Sequence, residues 1–87
     1  MTFRGAKITR RRLTCGVAIV NSDAVTDEVE ADRIASVLQN QVFHTPAVVL
    51  MAQHPQLGPL YYGRSDLVRY LERLDMSKIA WSEYTVK

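Results

Sequence analysis

The densest hydrophobic pattern in the chain lies at residues 47–52, where Ala47, Val48, Val49, Leu50, Met51 and Ala52 follow one another without a polar break. A strand with one wet face alternates apolar and polar side chains, so this unbroken run predicts a central strand covered on both faces. Residues 53–59 hold two prolines and a glycine, the composition of a hairpin connection longer than the minimum. Leu60, Tyr61 and Tyr62 then predict the returning strand. Upstream, Leu13, Cys15, Val17 and Ile19 alternate with Thr14, Gly16, Ala18 and Val20, and the β-branched content favours another strand. Asn21, Ser22 and Asp23 end it with turn chemistry. Residues 1–7 show no period and predict a flexible basic N-terminus or the start of a strand.

Two segments carry the helical period. Ala31, Ile34, Ala35, Leu38 and Val42 fall on one stripe and predict a helix over residues 27–43. Asp27 with Glu30 has capping-box spacing, Thr26 is an alternative cap, and Asp27, Glu28 and Glu30 complement the positive end of the helix dipole. Thr45-Pro46 ends it. Ser65 is the expected cap of a second helix reaching residue 74 or 75, with Leu67, Val68, Leu71 and Leu74 as its buried stripe. Residues 79–86 read either as a short edge strand or as an irregular segment that packs Trp81 onto the domain.

The resulting order is β-α-β-β-α with an optional last β. It predicts a single α+β domain over residues 1–87, a small two-layer sandwich on a mainly antiparallel sheet. With the last strand included, the order matches the βαββαβ ferredoxin-like pattern. Two helices on one face of such a sheet would leave Val, Leu or Met side chains uncovered on the other. A homodimer is therefore expected, because a second subunit would hide that face and enlarge a thin core.

Composition narrows the function classes more than it selects one. With 47% hydrophobic residues in 87, the chain has the apolar content of a globular domain. Its single cysteine rules out an intrachain disulfide, and no apolar run approaches the ~20 residues of a membrane span. Nor does the start of the chain read as a signal peptide. A cytoplasmic protein without membrane contact is the expectation. The net charge of +2 hides an asymmetry, since residues 1–12 carry Arg4, Lys7, Arg10, Arg11 and Arg12 and no acid, leaving the remainder net acidic.

Candidate chemistry is sparse. Cys15 reads as a small buried hydrophobe, because a reactive thiol needs a positive neighbour or a helix start to lower its pKa. Cys15, His44 and His54 lack the spacing of metal ligands. No motif places a nucleophile, and four glycines are too few and too scattered for a phosphate loop. Neither a cofactor nor a catalytic residue is assigned. Gly63-Arg64-Ser65 at a helix start reads either as an anion cradle or, more simply, as a turn and cap. Arg10, Arg11 and Arg12 are candidates for nucleic-acid phosphates, with Tyr61 or Tyr62 as a stacking group on an open sheet face. Those tyrosines are neighbours in a strand, so they must point to opposite faces.

Thr45-Pro46, an apolar strand, a hairpin, Gly63 and a final helix together resemble the C-terminal half of thioredoxin and glutaredoxin folds over residues 45–74. The CxxC pair of those families has no counterpart here, so the resemblance implies a fold segment and no redox role. The leading functional expectation is a non-catalytic protein-interaction or regulatory module that self-associates, with Tyr61, Tyr62, Arg64 and Trp81 facing its partner. A nucleic-acid binder using residues 10–12 comes second, and a small enzyme or redox-related domain third.

Overall fold

The computed structural model describes residues 2–86. Five strands form one mixed sheet: β1 (Thr2–Arg10), β2 (Leu13–Ile19), β3 (Ala47–His54), β4 (Gly58–Tyr62) and β5 (Ser82–Thr85), in the order β4-β3-β2-β1-β5. Among the described residues three α-helices accompany them: α1 (Ser22–Thr26), α2 (Glu28–Leu38) and α3 (Ser65–Arg73). β1 runs antiparallel to β2 and β5, and β3 to β4, but β2 and β3 are parallel. A parallel pair needs a crossover, and the chain from α1 through α2 supplies it. The sheet is therefore mixed where a mainly antiparallel one was expected, and its order is not the ferredoxin-like one.

Alternation along β2 and β3 divides the core in two. Ala18, Val48 and Leu50 face Ala31, Ile34 and Leu38 of α2. Cys15, Val17, Ala47 and Val49 face Leu67 and Leu71 of α3. The helices thus lie on opposite faces, in place of the expected two-layer sandwich. The doubly apolar β3 is an interior strand, between edge strand β4 and the central β2, with Val49 and Leu50 fully buried on its two sides. α3 covers the face for which a second subunit was invoked, so that reason for a homodimer falls away.

Of the two readings offered for residues 1–7, the structure has the start of a strand from Thr2, Met1 lying outside the described residues. Phe3 and Ala6 bury, and the Phe3 ring stacks on Tyr84 at 5.6 Å and meets Phe43 edge-on at 6.0 Å. Tyr84 belongs to β5, so this aromatic trio ties both ends of the chain to the far end of the α2 segment. The helix runs to Phe43 as the spacing predicts, but its last turn, Gln39–Phe43, widens to π geometry and swings Phe43 under the sheet. His44 then takes a left-handed conformation (φ 52°). Thr45 is buried and donates its hydroxyl to the Ala47 carbonyl at 2.8 Å.

Short polar side chains cap the starts of α1 and α2. Asp27 Oδ1 accepts from the N–H groups of Val29 and Glu30, while the Glu30 carboxylate turns to Arg33 instead of closing a reciprocal box. Asn21 caps α1, a helix where the sequence predicted only a turn. Ser65 does not cap α3. Arg64 occupies the cap position without a side-chain bond there, and Asp66 Oδ1 accepts from the Leu67 N–H at 2.9 Å.

Candidate functional site

Residues 11 and 12 are the whole connection between the paired Arg10 and Leu13. Arg12 N–H reaches back to the Arg10 carbonyl at 3.2 Å, and Arg11 sits at φ 54°. An L-residue there crowds its Cβ against its own backbone, which is why glycine, asparagine or aspartate usually fills such turns. Arginine occupies the position here. The tip leans towards α3: the Arg10 guanidinium lies 4.8 Å from the centre of the Tyr70 ring and donates to the Asp66 carbonyl at 3.4 Å. Between tip and helix runs an open groove of about 740 Å³ lined by Arg10, Arg11, Arg12, Leu13, Asp66 and Leu67.

Charges around this groove are unequal in their commitments. Arg64 pairs with Asp66 at 2.9 Å. Partial desolvation pushes the Asp66 carboxyl upward, but the Leu67 N–H and the Arg64 guanidinium outweigh it and hold the group below its usual range. Asp66 therefore stays ionised at the start of α3 and takes the place an external anion would need. Arg64 thus stands in the turn before α3, at the cap position, and holds this ion pair. Arg11 and Arg12 are exposed and make no ion pair among the described residues.

The remaining candidate partner residues do not share one surface. Tyr61 of β4 and Trp81 just before β5 each pack half-buried against the α3-side core, and burial and then Glu72 push the Tyr61 hydroxyl pKa up. Tyr62 lies on the α2 side, its hydroxyl 3.5 Å from Asp32, with desolvation and then the Asp32 and Glu28 carboxylates pushing its pKa up. The two tyrosines do point to opposite faces. Each face carries a helix, so neither ring is offered on an open sheet for a base to stack on. Tyr70, which the sequence did not single out, is the aromatic that meets an arginine of the tip.

The potential ligating and nucleophilic groups stand apart. Cys15 is buried under α3, and burial followed by the Asp66 carboxylate pushes its thiol pKa up, the reverse of activation. His44 precedes β3 and His54 ends it, separated by the length of that strand. His54 Nδ1 accepts from the N–H groups of Gln56 and Leu57, both at 3.1 Å, and so shapes the hairpin. Among the described residues no group of three His, Cys, Asp or Glu side chains converges as a metal site would require. A second hollow of about 290 Å³ beyond the end of β2, lined by Phe3, Ile19, Val20, Ala24 and Ile34 with Thr2 and Asn21, holds no titratable side chain. No helix among the described residues is long and apolar enough to cross a membrane.

No family model, curated protein or solved structure matches this chain. The likeness to the thioredoxin and glutaredoxin folds stays confined to the local order of strand, hairpin and helix.

Proposed function

We propose that this domain is a non-catalytic protein-interaction module that docks an acidic partner through its arginine hairpin. The observation that carries the reading is the tip itself, where Arg11 and Arg12 are exposed without an ion pair among the described residues and Arg11 holds a backbone conformation that favours glycine. Strain kept at an exposed charged position, with no packing role to account for it, supports selection for what the side chain contacts. A protein partner fits better than a nucleic acid for two reasons. The sheet faces are covered, which removes the stacking platform of single-strand binders. Away from the hairpin the chain is net acidic and would repel a long phosphate backbone.

Fluorescence anisotropy with a labelled glutamate-rich peptide and a labelled single-stranded oligonucleotide of equal charge tests this reading. The expected result is salt-sensitive peptide binding that is lost when Arg11 and Arg12 become alanine. Oligonucleotide binding with none to the peptide would put the nucleic-acid alternative in its place. The proposal does not require self-association, and light scattering showing a strict monomer at high micromolar concentration would exclude it.

A further inference from the structure

β1 is nine residues long, but β5 pairs with it only from Thr2 to Gly5. After Ala80 the chain joins the sheet; before it, the 3-10 turn Met76–Lys78 and a bend closed by Trp81 N–H to the Ile79 carbonyl at 2.9 Å carry it away from β1. Residues 7–10 of β1 thus have a strand on one side and, among the described residues, none on the other. The two-residue connection makes Arg10 and Leu13 a bonded pair, so by alternation Ile8 and Ala6 also bond towards β2. Lys7 and Thr9 then aim their N–H and C=O groups outward. Gly5 and Phe3 do the same, and β5 takes those up.

Beside this open edge lies a hollow of about 350 Å³ whose lining includes Lys7, Ile8, Thr9, Tyr70, Leu74 and Ile79. Ile8, Leu74 and Ile79 give it apolar walls. Alternation places Lys7 on the opposite face from Ile8, and the arginine tip closes the far end of the edge. The geometry points to addition of an extended acidic segment of a partner protein as a sixth strand along residues 7–10 of β1. Its apolar side chains would enter the hollow, and its carboxylates would lie on the Lys7 side and at the arginine tip. Main-chain bonds supply affinity in this mode, and pockets for alternate side chains supply selectivity. An unprotected edge flanked by basic residues also disfavours a second copy of the same edge, because like charges would meet. The inference rests on the protein-interaction reading and adds to it the form of the partner.

The test uses a short labelled peptide alternating glutamate with valine and the full chain carrying Thr9→Pro or Thr9→Val. Proline removes one outward N–H without touching the β1–β2 ladder or any charge, and the valine variant controls for the hydroxyl that bonds to Thr14 at 3.0 Å. The expected result is that Thr9→Val binds like the parent and Thr9→Pro loses about tenfold or more, the equivalent of about one backbone hydrogen bond. Amide exchange in the parent complex should slow at Lys7 and Thr9, a readout that holds even if the proline variant fails to fold. Unchanged binding by a folded Thr9→Pro chain, or no protection at those amides, overturns strand addition while leaving charge-driven docking intact. Absence of peptide binding by the parent overturns both readings together.

Discussion

Gly16 faces the ring of Phe43 across a gap that admits no methyl group: a Cβ built there would stand 2.4 Å from Phe43 Cγ. Gly5 meets the same ring, its Cβ reaching 3.0 Å from Phe43 Cζ and 2.8 Å from the Val17 carbonyl oxygen. Two glycines on adjacent strands thus make a flat seat for one aromatic ring. Gly16→Ala should cost about 1–3 kcal/mol through overpacking, read as a drop in melting temperature, with Phe43→Leu in the same chain restoring part of it. Cys15 gives a second check. Because its folded pKa is raised, the stabilisation from keeping the thiol neutral is complete below the unfolded value and is lost as pH rises through the folded one. The thiol should resist a disulfide reagent at neutral pH in the native chain and react at once in denaturant; fast native labelling would contradict its burial.

At the scale of elements, capping and turn chemistry set local strength. Asp27 satisfies two N–H groups at the start of α2, so Asp27→Ala should cost about 1 kcal/mol in urea unfolding, with the slope unchanged. Arg11→Gly should act in the other direction, stabilising the chain by about 1 kcal/mol as backbone crowding is relieved, and should weaken acidic-peptide binding in the same variant. Stability and binding moving oppositely at one position is the signature of strain retained for contact. Several exposed carboxylates also respond to pH. Glu30 is held low by the Arg33 guanidinium, and Asp75 by the Ser77 hydroxyl and N–H. A lowered folded pKa means that the contribution is present above the unfolded value and disappears as pH falls through the folded one. The melting temperature should therefore decline below about pH 4, the ordinary carboxylate range, and a flat profile there would contradict these pairings.

For the whole molecule, two cores share one sheet. Leu38 and Leu71 are both fully buried, one under α2 and one under α3. Each truncated to alanine should cost about 2–5 kcal/mol, and the two losses should be close to additive, because the sheet separates their contacts. A mild loss at Leu71 alone would mean that the α3 face is open and would revive the case for a covering subunit. In a domain this small either truncation removes a large share of the total stability, so urea unfolding at low temperature is the suitable measurement.

What the sequence determined by itself was local. The unbroken apolar run of β3, the alternation of β2, the stripe of α2 and the leucines of α3 each carried their own signal. β2, β3 and α3 formed within two residues of expectation, while α2 ends at Leu38 and the expected stretch to Phe43 is completed by the π turn. β1 was legible only as one of two readings of residues 1–7, because its buried positions include Gly5 and Ala6, whose small side chains give no hydrophobic period. The candidate site was legible only as a run of arginines. Tertiary structure decided the rest: which face each helix covers, the parallel pairing of β2 with β3, the approach of the tip to Tyr70, and the open length of β1. These depend on where the chain goes between elements, and no periodicity within an element encodes that path.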